Sequence, residues 1–533
     1  RARRRLAGES REPLPESRIS AITTASPRAW DLFFQAVRAR DESRLDDAAK
    51  LAQEAQVEDL GFALARFLAL DATWTVWGND QDGWLDPDTE LETRKALEKV
   101  EAAADRLPEK ERLSLRAMRA SLEKQWAVAG EIRDRVSALY PLDKEAVFLA
   151  GVVRYHSEAF AEAIPYFRRS LQLDPGFRLA AYHLEWSLTN IGRAAEEVDW
   201  LRAQVPLVRS SEEERALFWA FLSAGQEDDA RRMQDAANAR IGRTSVWPAL
   251  ALYWVHHGRA PEAERAIRES IAAKRARESA AGKPHTPNWR LPYVLAQSLA
   301  AQGRFREAIQ VSSDPDWGSD PRYRFLQQGQ WAAAGRQDHA QLEALTRELA
   351  NQGTFSGKDG GNWLEGPKSA VVTAMAGRLD LAAQTARAVL DGSAVRGLTA
   401  PERAFMEAIL AASESRSRGS PPELVAIAEH PQVWWRFPGN VVLGHDLRAR
   451  GDCPGAIAAY ERASAIPWHW LVGEKSHLFP FVLHSLATCY EKTGDLVKAR
   501  ERNAELLKRW EMADEDIPLL VDAKAMRERL AVK

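Results

Sequence analysis

The sequence has little cysteine and no long apolar run. Only two of its 533 residues are cysteine, Cys453 and Cys489, which excludes a disulfide scaffold and a cysteine-rich zinc module. No stretch approaches the roughly 18 consecutive apolar residues of a membrane-spanning helix. The sequence has 73 basic and 76 acidic side chains, so its formal net charge is only −3. This near-neutral balance argues against a general nucleic-acid binder. The composition is otherwise that of a globular protein.

Catalytic and cofactor-binding signatures are also missing. The sequence contains no Gly-x-Ser-x-Gly, His-Glu-x-x-His or Cys-x-x-Cys. Neither His-Arg-Asp nor Asp-Phe-Gly occurs, so a protein-kinase active site is excluded from this chain. The glycine-rich stretch 357–362 lacks the spacing of a phosphate-binding loop. We therefore predict no enzyme, no cofactor and no metal site in this chain.

A repeat of 33 or 34 residues dominates the chain. One register is marked by Ala129, Ala163, Glu197, Ala230 and Ala263, which are 34, 34, 33 and 33 residues apart. The position of Glu197 has lost the small residue that the others keep. Glycines predicted to form the turn between the two helices stand five residues before the last three of these positions, at Gly192, Gly225 and Gly258. A small residue at a fixed interval lets two helices approach closely, so the spacing predicts a series of helical hairpins.

The clearest copy of this repeat runs from Ala146 to Pro175. Gly151 is the small residue of its first helix, Ala163 lies on its second helix, and Phe167 follows one turn later. The other alanines that we assign to this position are Ala48, Ala308, Ala340, Ala382, Ala456 and Ala499. The pattern resembles the tetratricopeptide (TPR) repeat. We predict an all-α fold, a TPR-like right-handed α-solenoid built as a superhelix of helical hairpins.

Breaks in the spacing suggest how the array is divided. Residues 1–26 are predicted to be a basic, proline-containing linker, and 27–270 an N-terminal TPR-like array. Residues 271–440 are predicted to hold degenerate repeats with inserted loops, because the interval between alanines lengthens there. Residues 441–533 are predicted to be C-terminal repeats with a closing helix.

Both ends of the chain resemble one family. The segments concerned are Thr23–Trp30, Asp105–Arg112, Leu171–Phe177 and Arg509–Leu520, the last similar to a closing Trp-x-x-Ala-Asp-x-Asp-Ile-Pro motif. They are similar to the C-terminal TPR region of bacterial eukaryote-like Ser/Thr protein kinases and related winged-helix regulators. The resemblance implies a sensor or docking half whose effector domain is not in this chain. Residues from about 200 to 431 match only as generic repeats.

Tryptophan is the unusually frequent residue, with 19 copies against 9 of tyrosine. Neighbouring tryptophans cannot both face one helical core, and Trp and Arg are enriched at interaction hot spots. The candidate partner-binding or ligand-binding residues are Trp434, Trp435, Arg436, Trp468, His469 and Trp470 toward the C-terminus, with Trp74, Trp77 and Trp84 toward the N-terminus. The alternative is that these side chains pack the ends and insertions of the solenoid.

Two functions remain open from the sequence. The first is a non-catalytic protein–protein interaction or sensing scaffold that binds a peptide or protein partner in a concave groove. The second is a small-ligand sensor with an aromatic-lined pocket near the C-terminal end. Direct contact with nucleic acid is not expected, and the oligomeric state is open. A cytoplasmic location is favoured, and an exported module stays open if a membrane helix preceded the basic run Arg1–Arg5.

Overall fold

Helices account for all of the regular structure in the part of the chain that can be described. The computed structural model describes residues 24–42, 44–78, 87–123, 125–208, 211–242, 245–282, 290–312, 335–336, 338, 340–345, 365–391, 398, 400–415, 419–469, 472 and 476–532. Within these ranges no β-strand is formed. The predicted all-α fold class is therefore confirmed.

The chain divides into two compact units, Arg1–Ser187 and Leu188–Lys533. The helices that begin in the first unit are α1 (Pro27–Asp41), α2 (Leu45–Glu58), α3 (Ala63–Gly78), α4 (Pro87–Glu101), α5 (Glu109–Leu122), α6 (Trp126–Leu139), α7 (Lys144–His156), α8 (Phe160–Leu173) and α9 (Arg178–Ile191). The last four residues of α9 belong to the second unit.

The second unit continues with the same kind of element. Its helices are α10 (Val198–Gln204), α11 (Ser211–Ser223), α12 (Glu227–Arg240), α13 (Pro248–His256), α14 (Ala260–Ala280), α15 (Arg290–Ala301), α16 (Phe305–Ser312), α17 (Glu365–Met375), α18 (Leu379–Asp391), α19 (Ala400–Glu414), α20 (Pro422–Ala428), α21 (Val433–Ala449), α22 (Cys453–Ser464), α23 (Phe479–Thr493), α24 (Leu496–Arg509) and α25 (Pro518–Val532).

Consecutive helices pair as hairpins, most extensively α1 with α2, α7 with α8, α21 with α22, and α23 with α24. The repeat alanines lie where the two helices of a hairpin approach. Those that are buried at this position are Ala48, Ala129, Ala163, Ala230, Ala263, Ala308, Ala382, Ala456 and Ala499. The architecture is a TPR-like α-solenoid, as the alanine spacing predicts.

Glycine makes the turn inside many of these hairpins. The glycines that hold a left-handed conformation between two helices, with φ from 71° to 87°, are Gly192, Gly225, Gly258, Gly303, Gly377, Gly451 and Gly494. In this conformation a Cβ causes steric strain, which raises the energy of the folded state. Glycine has no Cβ and can therefore end the first helix without that strain. The role predicted for Gly192, Gly225 and Gly258 is confirmed.

Two predicted copies depart from the pattern. In the copy that carries Glu197, a 3₁₀ turn and the short helix α10 replace a full second helix. Glu197 is only half-buried there, because a carboxylate is costly to bury where two helices approach. In the copy assigned to Ala340, that alanine is exposed, and the preceding Gly335 is helical and packs against Phe305 instead of forming a turn.

Replacing Gly151 with alanine tests the close approach of α7 and α8. A Cβ at this position would lie 2.7 Å from Cε1 of Phe167, whose ring is fully buried. We expect a net loss of about 1 kcal/mol in the free energy of unfolding, because overpacking costs about 1–3 kcal/mol and the helix propensity of alanine returns only about 0.5–1 kcal/mol. Urea denaturation measures the change.

Gly130 in α6 provides the matched control, because a Cβ there would meet nothing within 4 Å. We expect Gly130→Ala to raise the free energy of unfolding by about 0.5–1 kcal/mol. The packing argument fails if Gly151→Ala proves as stabilising as Gly130→Ala.

Candidate functional site

Trp434 and Trp435 lie in the first turn of α21. Because they are adjacent on a helix, their side chains point about 100° apart and meet different neighbours. The indole of Trp435 contacts the ring of Phe405 in α19, edge to face at 5.8 Å between centroids. The indole of Trp434 lies 5.1 Å from the ring of His469. Both tryptophans are half-buried, so each keeps part of its surface in contact with solvent.

Trp468 and His469 follow α22 in an irregular segment and are buried. The indole of Trp468 packs edge-on against Tyr253 of α13, with ring centroids 5.8 Å apart. Nε2 of His469 lies 3.2 Å from Oδ1 of Asn190, near the end of α9. The structure therefore brings Trp434, His469 and Trp468 together, with the two buried residues linking Trp434 to earlier helices of the same unit.

The guanidinium of Arg436 forms hydrogen bonds with the backbone just before α21. Nη1 donates hydrogen bonds to the carbonyl oxygens of His430 and Pro431, at 3.1 and 2.9 Å. Burial lowers the pKa of Arg436 from its usual range. These bonds tie the start of α21 to the turn that precedes it, so the side chain positions the tryptophans beside it.

The remaining candidates lie wholly or partly outside the described residues. Trp74 and Trp77 belong to α3, but their side chains are outside the described part of the chain. Trp84 and Trp470 are outside it entirely.

Trp434, Trp435, Trp468 and His469 are named here the tryptophan cluster, and two of its indole N–H groups are buried. Among the described residues, no hydrogen-bond acceptor reaches Nε1 of Trp435 or Nε1 of Trp468. Buried polar groups usually have a partner, so each of these atoms is a position where an acceptor would be stabilising.

His445, three turns further along α21, is held in its neutral form. Its Nε2 lies 2.8 Å from the carbonyl oxygen of Met375, and its Nδ1 lies 2.7 Å from the hydroxyl of Tyr460. The carbonyl can only accept, so Nε2 carries the proton and Nδ1 accepts from Tyr460. Burial lowers the pKa of His445 to about 4.

A cavity of about 540 Å³ lies between α12, α13 and α14; Trp254 lines it, but none of the candidate residues does. Several of its polar groups already serve the fold. Oε1 of Gln234 accepts from the backbone N–H of Trp247 at 2.6 Å, and the hydroxyl of Ser270 accepts from the N–H of Val246 at 2.9 Å. We therefore interpret this space as a groove between the α11–α12 and α13–α14 hairpins and assign it no ligand.

A charged cluster in the first unit has no sequence signature. Arg40, at the end of α1, pairs with Asp71 of α3 at 3.1 Å and with Glu145 of α7. Lys144, next to Glu145, pairs with Asp41 at 3.3 Å. Because these partners come from hairpins far apart in the sequence, neither spacing nor composition could reveal them. The cluster ties the first hairpin of this unit to the α7–α8 hairpin.

Metal-binding and membrane-spanning features were sought over the same described ranges. No group of three or more His, Cys, Asp or Glu side chains there could hold a metal ion. None of the helices there combines the length and the apolar character needed to cross a membrane.

Comparisons with known proteins yield structural similarities only. No protein-family model matches the chain, and no curated protein sequence matches it. The crystal structure of the APC/C hetero-tetramer Cut9–Hcn1 is similar over 97% of this chain and 96% of that chain, at 13% identity and a TM-score of 0.36. The P58(IPK) TPR domain is similar over 79% and 99%, at 13% identity and a TM-score of 0.21.

The structure of Naa15/Naa10 bound to HypK-THB is similar over 95% of this chain and 79% of that chain, at 12% identity and a TM-score of 0.22. These similarities carry no information on function. The assignment of the fold depends on the helical hairpins of the chain itself.

His445 makes the stability of the protein sensitive to acid. Its pKa is about 4 in the folded chain and about 6.5 when unfolded, so between these values only the unfolded chain takes up the proton. Stability therefore falls as the pH drops through this window, by up to about 1.4 kcal/mol per pH unit for one histidine. We expect His445→Gln to make the acid slope of the unfolding free energy shallower, measured by urea denaturation at several pH values.

Tyr460→Phe is the matched variant, because it removes the hydroxyl that donates to Nδ1 but keeps the histidine. We expect it to lose about 1–3 kcal/mol at pH 7, the cost of a buried acceptor left without a donor. Its acid slope should still include the contribution of His445. If His445→Gln keeps the slope of the unmodified protein, the assignment of this histidine is wrong.

Proposed function

We propose that this chain is a non-catalytic scaffold for protein–protein interaction or sensing, the regulatory half of a bacterial signalling protein. A peptide or protein partner binds along the groove formed by the first helices of successive hairpins. The proposal is supported by the array of helical hairpins in both units, because such arrays expose extended binding surfaces. The chain supplies no catalytic motif, so binding is the activity that its architecture favours.

The observation that carries the proposal is that some residues of the tryptophan cluster are partly exposed and others are buried. Trp434 and Trp435 keep exposed surface, whereas Trp468 and His469 are buried. Hot-spot residues at interfaces are commonly aromatic side chains held rigidly by their neighbours. Trp434 and Trp435 therefore contact the partner, while His469 holds the indole of Trp434 in place and Phe405 holds that of Trp435.

A small-ligand sensor is the second candidate, and one observation favours it. Nε1 of Trp435 is a buried donor for which the described residues offer no acceptor. A ligand with a carbonyl, carboxylate or phosphate oxygen would satisfy that donor.

The remaining parts of the proposal concern context. The chain acts in the cytoplasm, does not contact nucleic acid directly, and receives its partner from the same compartment. Its upstream effector, by the family resemblance, is a Ser/Thr kinase or a winged-helix domain. The fourfold division of the chain at residues 26, 270 and 440 stays a prediction.

Partner capture tests the first candidate. The purified chain is immobilised and exposed to host lysate, and retained proteins are quantified by mass spectrometry. We expect the double variant Trp434→Ala, Trp435→Ala to bind its partners about 30-fold more weakly, the equivalent of a hot-spot loss of about 2 kcal/mol. Trp219→Ala, a half-buried tryptophan on α11 of the same unit, serves as the control.

The control should retain the same partners as the unmodified chain. An unchanged partner set in the double variant, with its helical content intact, sinks the claim that this cluster binds protein. Trp435→Phe separates the two candidates because it keeps most of the apolar surface and removes the donor. Loss of a bound small molecule in native mass spectrometry, with protein partners retained, would favour the ligand sensor.

A further inference from the structure

Turn glycines with the same backbone conformation have different surroundings. A Cβ at Gly225, Gly377, Gly451 or Gly494 would meet nothing within 4 Å. A Cβ at Gly303 would lie 2.5 Å from Cβ of Ala513, and one at Gly258 would lie 3.1 Å from Cζ of Arg509. Residues 509–516, which comprise the last residue of α24 and most of the link to α25, therefore cover the turns of the α13–α14 and α15–α16 hairpins. We name residues 509–516 the closing segment.

The closing segment makes an apolar contact with the α15–α16 hairpin. Trp510 is buried, and its indole meets the ring of Phe305 edge-on at 6.1 Å. The methyl group of Ala513 rests on Gly303, where the absence of a side chain makes room for it. Ile517, directly after the segment, is also buried. This contact fixes where the segment lies on the hairpin.

Asp514 adds a polar contact at the same turn. Its backbone N–H donates to the carbonyl oxygen of Gly303 at 3.0 Å. One carboxylate oxygen, Oδ2, accepts from the backbone N–H of Arg306 at 3.1 Å. Arg306 is the second residue of α16, so this N–H has no partner within its own helix. Asp514 thus caps a helix that lies 208 residues away along the chain.

Ion pairs complete the contact on the solvent side. Asp516 forms ion pairs with Arg306 and Arg336, with 2.6 Å from Nη2 of each arginine to Oδ2 of the aspartate. The side chain of Arg306 is 61% exposed and that of Asp516 is 46% exposed. The Arg306–Asp516 pair is exposed enough to be screened by salt, whereas Arg336, which is 24% exposed, is screened less. The closing segment therefore has a buried apolar part and an exposed ionic part.

We propose that the closing segment is a releasable latch within the second unit. Trp510 and Ala513 position it, Asp514 locks it to the first turn of α16, and the pairs of Asp516 make the locked state depend on ionic strength. Released, the latch uncovers Phe305 and the turns at Gly258 and Gly303 without unfolding the hairpins. Closed, it withholds this edge from solvent and from partners.

Hydrogen–deuterium exchange on the full chain tests the latch, because two backbone amides report on it directly. The peptide covering 303–308 contains the amide of Arg306, and the peptide covering 510–517 contains the amide of Asp514. We expect Asp514→Ala to speed exchange in both peptides about tenfold or more. Asp514→Asn keeps an oxygen that can cap α16, so its effect should be smaller. Raising NaCl from low to high concentration should speed exchange in the same two peptides of the unmodified chain.

The peptide covering 493–498 provides the internal control, because the turn at Gly494 is open and contacts no closing segment. Its exchange should stay unchanged throughout. Unchanged exchange at 303–308 and 510–517 in Asp514→Ala overturns the proposal, and so does an equal rise in the control peptide, which indicates general destabilisation. If Asp514→Ala does not fold, the salt comparison on the unmodified chain decides: faster exchange confined to the two latch peptides supports the latch, and any other pattern overturns it.

Discussion

The close approach of two helices at a small residue is the contact on which the rest of this structure depends. In the α7–α8 hairpin, the absence of a side chain at Gly151 makes room for the ring of Phe167, and in the α21–α22 hairpin Gly444 does the same for Tyr460. Alanines repeat the arrangement along both units and are almost fully buried. Each hairpin thereby gains an apolar face that it cannot bury alone, and stacking on the next hairpin removes that face from water. The repeat of 33 or 34 residues in the sequence is therefore the interval at which this contact recurs along the chain.

Each unit also contains contacts between hairpins that are far apart in the sequence, and these contacts differ between the two units. In the first unit, Arg40 and Lys144 link the end of α1 to the start of α7 by ion pairs. In the second unit, the closing segment covers two hairpin turns by apolar packing, a helix cap and exposed ion pairs. These contacts lie outside the regular pattern of the repeat. They decide which of the described turns and helix ends are covered and which are open.

The tryptophan cluster shows how much of the candidate site could be predicted from the sequence. Adjacency of Trp434 and Trp435 on a helix is enough to predict that they meet different surroundings, since residues about 100° apart cannot share one core face. Proximity of Trp434 to His469 could not be predicted, because it depends on the path of the chain after α22. Burial of Trp468 and His469 against α13 and the end of α9 also follows from that path, and it restricts the exposed part of the cluster to the start of α21.

The sequence by itself determined the helical hairpins, their register and their turns. These features depend on residues within one hairpin, such as Ala163 beside Phe167 or a glycine with positive φ at Gly225, so local spacing is sufficient to predict them. The tertiary structure alone decided that Gly303 is covered whereas Gly377 is open, although both have the same turn conformation. The physical reason is distance along the chain: the residues that cover Gly303 stand more than 200 positions later, and no local pattern specifies where they come to lie.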